Sequence, residues 1–188
     1  MDFDGTISEM ADTPVEAVIF PACGDALKSL LDRLAVVAVV SGRSAVDLSK
    51  KVDIDGVYYV GNHGAEYLVN GELTIEPAAA GYQERVRAVF EYQKAAADLP
   101  GLFWQDKGVS ASVHYRMAAN TDYARRVLAG ALAYAPGSDG LDSFWGKLVL
   151  EIRAPVALNK GYALDKLVRE LDLQSVVFLG DDITDVDA

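Results

Sequence analysis

The 188-residue chain is acidic and rich in apolar residues, and these two properties exclude several classes of protein. Apolar residues make up 51% of the chain, enough for a folded core, so it is not a disordered protein. The net charge of −11 disfavours nucleic acid or an anionic membrane as the main partner, so an anionic substrate would need a local cationic pocket or a metal ion.

The cysteine content and the hydropathy pattern give an expected location. Cys23 is the only cysteine, which excludes an intrachain disulfide and a cysteine-based zinc site and gives no sign of an oxidising compartment. The longest apolar run, residues 34–40, is far too short to span a bilayer, and the N-terminus lacks a basic-then-apolar signal. We therefore expect a cytoplasmic protein with no membrane partner.

Two carboxylates open the chain, in the stretch Asp2-Phe3-Asp4-Gly5-Thr6. Alternate side chains of a strand share a direction, and a glycine permits a sharp exit from the strand. Asp2 and Asp4 can therefore hold a cation together and take part in covalent chemistry. By itself, however, the pattern is more often a solvated turn or part of a calcium loop.

A helix, a buried strand and a polar turn come next. Leucines recur at helical spacing within residues 22–34, and the β-branched run at 36–40 is typical of a parallel strand buried on both faces. The turn Ser41-Gly42-Arg43 follows this strand directly, at the edge where open α/β sheets bind ligands. Two interpretations of Ser41 remain open, a ligand contact or only a cap of the helix that begins near Ser44.

Another strand, residues 57–60, leads into the turn Gly61-Asn62-His63-Gly64. Two glycines around His63 mark a place where the backbone bends or another group approaches closely. His63 can act as a ligand or an acid, but a lone histidine is more often a structural hydrogen-bonding group. Farther on, Asn70-Gly71 predicts the turn of a β-hairpin.

The sequence pattern changes from about residue 78. It predicts amphipathic helices at 82–99 and 121–135, an alternating strand at 109–115, and a strand pair or one bent strand at 144–152. Such a mixture is typical of an α+β unit, here a lid inserted into an α/β core. Its polar residues either line a sugar or phosphate pocket or belong to ordinary solvated faces. These residues are Gln105, Lys107, His114, Arg116, Lys147, Glu151 and Arg153.

The core resumes with Lys160, just before a helix predicted at residues 162–171. The helix dipole and the lysine charge both favour a phosphate group at this point. A second uninterrupted buried strand is predicted at 176–179, and three carboxylates follow it within a few residues, Asp181, Asp182 and Asp185. Carboxylates this close repel one another unless a cation or hydrogen bonds compensate, so the sequence predicts a metal site.

Four motifs in this order resemble those of a known superfamily. DFDGT, SGR, NKG and GDDITD resemble the motifs of the haloacid dehalogenase superfamily of phosphotransferases, and GNHGAE, DKGVSASVHYR and GKLVLEIR are similar to its trehalose-6-phosphate phosphatase branch. The resemblance covers essentially the whole chain. It implies an α/β fold in which a Rossmann-like parallel sheet core, residues 1–77 and 155–188, carries an inserted α+β cap of type IIB, residues 78–154.

The resemblance also implies a Mg²⁺-dependent phosphatase that works through an aspartyl phosphate. Asp2 would be the nucleophile, Asp4 the general acid and then the base, and Lys160 would offset charge in the transition state. The metal group would comprise Asp2, the backbone carbonyl of Asp4, Asp181 and Asp182, with Asp182 and Asp185 orienting waters. The positions that would contact the sugar phosphate are Ser41, Gly42, Arg43, His63, Lys107, His114, Arg116, Lys147 and Glu151.

The sequence departs from the family pattern at Gln105 and at both ends of the chain, besides two minor differences at Ala154 and Val186. Gln105 stands where the branch usually has a glutamate, so the sugar contacts at that position are in question. Only Met1 precedes Asp2, where several apolar residues of a strand are expected, and no helix follows Asp187. We therefore expect a chain clipped at both ends, with nothing to anchor the nucleophile in the sheet.

Three functions remain open from the sequence. The first is a phosphatase for trehalose 6-phosphate or, within the same class, for another disaccharide phosphate such as sucrose phosphate. The second is a non-catalytic phosphatase-like module that binds a sugar phosphate or supports a fused or associated trehalose-phosphate synthase. The third is a magnesium-binding phosphoacceptor domain of the response-regulator kind, against which the inserted cap and the place of Lys160 argue.

Overall fold

The computed structural model describes residues 1–11 and 13–188 as a mixed α/β protein with two four-stranded sheets. The chain divides into two compact units, of which the first comprises Met1–Glu76 and Ala157–Ala188 and the second Pro77–Val156. Along the chain, the second unit is therefore an insertion in the first. No helix in the described ranges is long and apolar enough to cross a membrane.

Among its described residues, the first unit contains three α-helices and one four-stranded sheet. The helices are α1 (Pro21–Leu31), α2 (Ala45–Val52) and α6 (Lys160–Glu170), and the strands are β1 (Ala38–Val40), β2 (Tyr58–Gly61), β3 (Glu66–Val69) and β4 (Glu72–Ile75). The sheet order is β1-β2-β3-β4, with β1 and β2 parallel and the other two pairs antiparallel. The parallel arrangement that the uninterrupted apolar runs predict is thus present between β1 and β2.

Local signals account for the ends of these elements. Pro21 begins α1, where a missing N–H costs nothing because the first turn has no partner for it. The side chain of Ser44 accepts a hydrogen bond from the Asp47 N–H and so caps α2, which leaves Ser41 without that role. Asn70 and Gly71 both have positive φ, 51° and 82°, as a tight hairpin turn requires, and the predicted hairpin of β3 and β4 is confirmed.

The prediction of a second fully buried strand at residues 176–179 is wrong. The structure assigns no strand there, and Val177 and Leu179 are 87% and 56% exposed. Only Phe178 packs against the apolar cluster that contains Val40 and Leu167. A run of apolar residues is buried on both faces only where other elements cover both faces, and among the described residues only one face is covered here.

The expectation that nothing anchors Asp2 in the sheet is also wrong. The Met1 nitrogen donates to the Ala38 carbonyl at 2.9 Å, and the Met1 carbonyl accepts from the Val40 N–H at 2.8 Å. On the other side, the Asp2 N–H donates to the Leu179 carbonyl at 2.8 Å. Residues 1 and 2 are therefore held by backbone hydrogen bonds between β1 and the segment at 176–179, as a strand would be.

The second unit packs three helices and an antiparallel sheet. Its helices are α3 (Pro77–Ala80), α4 (Gln83–Ala96) and α5 (Thr121–Tyr134), and its strands are β5 (Phe103–Asp106), β6 (Ser110–His114), β7 (Asp142–Gly146) and β8 (Val149–Arg153). The sheet order is β5-β6-β8-β7, so the pattern at residues 144–152 is a strand pair. The sequence pattern does not predict α3 or β5, because each has only four residues, too few to show a period.

Alternation along β6 and β8 separates an apolar face of this sheet from a polar one. Val113, Leu150 and Ile152 are fully buried in one cluster with Val89 of α4 and Leu128 of α5. Because side chains alternate along a strand, the residues between them point to the opposite face. Ser112, His114 and Glu151 are polar residues of this face, and the pair Ser110 and Arg153 continues it at the other end of the two strands.

Candidate functional site

The centre of the candidate site is a buried lysine between two carboxylates of the first unit. Lys160 Nζ lies 2.8 Å from Asp2 Oδ1 and 2.6 Å from Asp185 Oδ1, and Lys160 and Asp2 are only 3% and 4% exposed. Asn159 caps α6 by accepting the N–H of Tyr162, so the helix begins at Lys160 and directs it to this place. The structure thus brings the predicted nucleophile and the predicted lysine into direct contact.

Three carboxylates beside this lysine form a group that suits a hard cation. Ligand atoms of Asp2, Asp181 and Asp185 all lie within 4.8 Å of one another. An oxygen-only donor set of this charge fits Mg²⁺ or Ca²⁺ and not a metal that prefers sulfur or nitrogen ligands. The carboxylate of Asp182 lies outside the group, because it accepts the Ile183 N–H and caps the 3₁₀ helix Ile183–Asp185.

Burial and hydrogen bonds shift the acidities of two of these groups in opposite directions. Burial raises the pKa of Asp2, against the opposing effect of the Lys160 ammonium. Partial burial alone would also raise the pKa of Asp185, but hydrogen bonds from Lys160 and from the Asp182 and Asp181 N–H groups outweigh it and lower that pKa. A cation beside Asp2 would favour its charged form, so the burial of this carboxylate is consistent with a metal site.

The absence of a side chain at Gly5 leaves the space that the carboxylate of Asp181 occupies. Gly5 has φ of +83°, and a Cβ atom on it would lie 2.2 Å from Asp181 Oδ2. The neighbouring Thr6 hydroxyl donates to the other oxygen, Asp181 Oδ1, at 3.1 Å. Only glycine therefore combines this backbone conformation with the close approach of Asp181.

We expect Gly5→Ala to weaken the use of a divalent cation. The added methyl group would displace Asp181, so the Mg²⁺ concentration for half-maximal activity should rise at least about tenfold, and the left-handed backbone should cost about 1–2 kcal/mol of stability. Gly71→Ala is a matched control, because Gly71 has φ of +82° but nothing within 4 Å of the added Cβ. Equal Mg²⁺ dependence in the two variants, measured by metal titration of activity and by thermal unfolding, would contradict the role of Gly5.

Asp4 lies in a second ion-pair cluster. Arg43 donates two hydrogen bonds to its carboxylate, from Nε to Oδ2 at 2.8 Å and from Nη2 to Oδ1 at 2.7 Å. Arg43 Nη1 also donates to Asp47 Oδ2 at 2.9 Å and to the Pro14 carbonyl at 2.8 Å. The structure therefore joins two residues that the sequence places in separate roles, Asp4 in catalysis and Arg43 in substrate binding.

The remaining core positions lie in two turns that are bonded to each other. The His63 N–H donates to the Ser41 carbonyl at 3.0 Å, and the Asn62 N–H donates to the Arg43 carbonyl at 2.7 Å. The imidazole lies against Gly42, where a Cβ atom would be 2.6 Å from His63 Nε2. Ser41 directly follows β1, and Asp2 directly follows Met1, which is hydrogen-bonded alongside β1. Both residues therefore leave the sheet at the same edge.

The predicted sugar-contact residues of the second unit share the polar face or one end of its sheet. Lys107 Nζ forms a buried ion pair with Glu151 at 2.8 Å, and His114 Nε2 lies 3.4 Å from Gln105 Oε1. Arg116 and Lys147 stand beyond the end of the sheet where His114 pairs with Val149. The structure thus brings Lys107, Glu151, His114 and Gln105 together on one face, with Arg116 and Lys147 at its end.

Sequence reasoning missed several partners of the site. Asp47 comes four residues after Arg43, a spacing that predicts an ion pair where both residues lie on one helix. Arg43 precedes the start of α2, so the sequence did not indicate this pair. The buried Glu66 accepts the Ala45 N–H at the start of α2 through Oε2 at 2.9 Å, and no local signal announces this long-range contact. The sequence includes Asp185 among the carboxylates of a predicted metal site but gives it the role of orienting waters, whereas the structure places it in the metal group itself, four residues after Asp181 across a 3₁₀ turn.

Comparison with known proteins identifies the family. The sequence profile of the family described as trehalose-phosphatase matches residues 1–188, the entire chain. The chain belongs to the trehalose-phosphatase family. The family resemblance read from the sequence motifs is therefore confirmed, and membership in this family of haloacid dehalogenase type implies a metal cofactor in general.

Curated relatives of this trehalose-phosphatase family member are longer proteins. The chain is 33% identical over 194 residues to a trehalose-phosphate phosphatase of Mycobacterium tuberculosis (strain ATCC 25618 / H37Rv), and 32% identical over the same length to one of Mycobacterium marinum. Each match covers the whole of this chain and 49% of the relative, so the chain spans about half the length of these relatives. It is also 31% identical over 197 residues to an uncharacterized glycosyl hydrolase of Mycobacterium tuberculosis, of which it covers 15%.

Solved structures share the fold. A trehalose-6-phosphate phosphatase related protein superposes with a TM-score of 0.81 at 23% identity, over 98% of this chain and 78% of the other. The C-terminal domain of the trehalose-6-phosphate phosphatase of C. albicans superposes with a TM-score of 0.75 at 22% identity, over 99% of this chain and 70% of the other. At these identities the likeness concerns the fold alone.

Proposed function

We propose that this trehalose-phosphatase family member hydrolyses trehalose 6-phosphate to trehalose and phosphate, with Mg²⁺ and through an aspartyl phosphate on Asp2. The observation that carries the proposal is the contact of the buried Asp2 carboxylate with Lys160 Nζ at 2.8 Å, beside Asp181 and Asp185. A carboxylate held next to a cation and a metal-compatible group suits attack on the phosphorus of an anionic ester. The finer description of the fold, a Rossmann-like parallel core with an inserted cap of type IIB, is part of the same proposal.

Two displacements at phosphorus make up the reaction. In the first, one oxygen of Asp2 forms a bond to phosphorus, the bond from phosphorus to the sugar oxygen breaks, and Asp4 gives its proton to that oxygen. In the second, water attacks the aspartyl phosphate, Asp4 takes a proton from the water, and the bond from phosphorus to Asp2 breaks. Lys160 neutralises charge on the phosphoryl oxygens in both steps, and Ser41 donates to one of them.

Asp2, Asp181 and Asp185, with the Asp4 backbone carbonyl, would hold the metal ion. When bound, Mg²⁺ would neutralise the charge of the phosphate ester and of the carboxylates around it. Asp182, whose carboxylate caps the neighbouring 3₁₀ turn and lies outside this group, would orient waters around the ion.

The second unit would recognise the sugar. Cross-strand positions of β5, β6 and β8 place a charged pair, Lys107 with Glu151, next to His114 and Gln105 on the polar face. Side chains that donate and accept hydrogen bonds suit the hydroxyl groups of a disaccharide. Arg116 and Lys147 would add contacts at the end of that face.

A phosphate-release panel tests the proposal. We expect release from trehalose 6-phosphate with Mg²⁺ at a kcat/KM at least about tenfold above that for sucrose phosphate, glucose 6-phosphate or p-nitrophenyl phosphate, since binding by the second unit should favour its own disaccharide. EDTA should remove the activity, and added Mg²⁺ should restore it. Equal rates on all sugar phosphates would refute the substrate, and full activity in EDTA would refute the metal.

A second candidate rests on the length of the curated relatives. The chain covers 49% of the curated trehalose-phosphate phosphatases and 15% of the uncharacterized glycosyl hydrolase, so similar sequences occur as parts of longer proteins. A non-catalytic sugar-phosphate-binding module that supports a linked or associated trehalose-phosphate synthase is therefore an alternative. Binding of trehalose 6-phosphate, measured by calorimetry, without phosphate release from any substrate of the panel would favour this candidate.

A further inference from the structure

We propose that Arg43 is a positioning residue for Asp4 and not a contact for the substrate. This inference rests on the proposed phosphatase function, in which Asp4 gives and takes the proton. Arg43 holds both oxygens of the Asp4 carboxylate in a two-bond fork, at 2.8 Å and 2.7 Å. A fork of this kind fixes the plane of the carboxylate as well as its distance, which a single hydrogen bond does not do.

Arg43 is itself held from the side opposite Asp4. Its Nη1 donates to Asp47 Oδ2 at 2.9 Å and to the Pro14 carbonyl at 2.8 Å. The guanidinium also lies 5.3 Å from the centre of the Phe3 ring, and Phe3 is fully buried between the two aspartates in sequence. Because the Arg43 side chain is only 8% exposed, these partners determine where the guanidinium stands.

The partners leave Arg43 little capacity for a sugar phosphate. A guanidinium has five N–H groups, and the bonds to Asp4, Asp47 and Pro14 use its Nε, both donors of Nη1 and one donor of Nη2. Only one donor of Nη2 remains for a phosphate. Any further bond from Arg43 to a phosphate would displace a carboxylate from its ion pair, which is unfavourable because the displaced charge loses its partner.

The arrangement determines how Asp4 moves during the reaction. Each of its oxygens accepts one bond from Arg43 and keeps a second lone pair, through which Asp4 can meet the sugar oxygen or the attacking water. The Asp4 side chain is 31% exposed, which leaves it room to turn. After each proton transfer the fork returns the carboxylate to the same place, whereas lysine, which donates from a single point, cannot restore that orientation.

The test compares substrates that differ in their need for a proton. Departure of a sugar oxygen requires protonation by Asp4, whereas departure of p-nitrophenolate does not. Both substrates share the second step, in which Asp4 takes a proton from water, so the comparison is made on the first step, as the single-turnover rate of release of the sugar or of p-nitrophenolate. For Arg43→Gln we expect this rate on the sugar phosphate to fall roughly 10²-fold, the scale of general acid–base catalysis, with KM changed less than about threefold. On p-nitrophenyl phosphate the rate should fall less than about tenfold. Arg43→Lys should show the same substrate difference, and Arg33→Gln, an exposed arginine, should leave both rates unchanged.

Two further arms keep the inference open to refutation. Asp47→Asn weakens one hydrogen bond that holds Arg43 and retains its two bonds to Asp4. The rate on the sugar phosphate should therefore fall by a smaller factor than in Arg43→Gln, and again by more than the rate on p-nitrophenyl phosphate. This variant tests the inference even if Arg43→Gln does not fold. Equal losses on both substrates, or a loss confined to KM, would overturn the positioning role.

If the unaltered protein hydrolyses another sugar phosphate but not trehalose 6-phosphate, the proposed substrate fails and the Arg43 comparison is made on that other substrate. If it hydrolyses no phosphate ester, both proposals fail.

Discussion

Replacement of Asp2 by asparagine is expected to abolish phosphate release, with kcat reduced by more than about 10⁴-fold, the scale observed when a covalent nucleophile is removed. The amide keeps the size of the side chain and can still accept a hydrogen bond from Lys160, but it is a poor nucleophile and cannot supply the negative charge that the cation requires. Initial rates of phosphate release with saturating Mg²⁺ measure the effect. Asp25→Asn is the matched control, because Asp25 is an exposed residue of α1.

A trapping experiment separates the nucleophile from a residue that only binds metal. Acid quenching of the unaltered protein with ³²P-labelled substrate should leave label on the protein, and proteolysis should locate it on the peptide that contains Asp2. Asp2→Asn should carry no label, even at Mg²⁺ concentrations that saturate the site. Label on a different residue, or measurable turnover by Asp2→Asn, would show that another group attacks phosphorus.

Replacement of Lys160 by methionine should have the second-largest effect, and on two properties. Activity should fall roughly 10²–10³-fold, because a buried positive charge next to the reacting phosphate is lost. In metal-free buffer, the free energy of unfolding should fall by about 3 kcal/mol, since Asp2 and Asp185 would remain as neighbouring charges without their cation. Part of this loss should return when Mg²⁺ is added, because the ion binds only the folded state.

The pH dependence of stability gives an independent check on Lys160. Bonds from Lys160 and two backbone N–H groups lower the pKa of Asp185 below its ordinary value of 3.8, against the effect of partial burial. A lowered pKa contributes stability above the unfolded value, and this contribution is lost as the pH falls through the folded value. Loss of the lysine charge removes an effect that lowers the pKa of both Asp2 and Asp185, so Lys160→Met takes up protons on these carboxylates at a higher pH than the unaltered protein does. The stability difference between the two proteins should therefore narrow as the pH falls through the range in which the carboxylates of the variant become protonated. Lys28→Met, an exposed lysine of α1, should show no difference at any pH.

Much of this protein follows from local sequence signals. The Asn70-Gly71 turn, the Ser44 cap and the spacing of apolar residues in α4 and α5 each depend on only a few neighbouring residues, so they can be recognised without the fold. The motifs likewise point to the family, because each one joins a strand end or a helix start to residues of a definite chemistry. The contact of Asp2 with Lys160 can be inferred from these motifs because strand ends and helix starts in this order meet at the same edge of one sheet.

The rest was decided by tertiary structure, because it depends on residues that are distant in the chain. Val176-Val177-Phe178-Leu179 has the composition of a buried strand, but burial requires neighbours on both faces, and the described structure covers only one. The fork between Arg43 and Asp4 joins residues 39 positions apart, and no periodicity predicts it. Sequence alone therefore identified which residues carry charge near the site, whereas the packing of β1, α2 and α6 determined which charge faces which, since ion pairs depend on distances of a few ångströms.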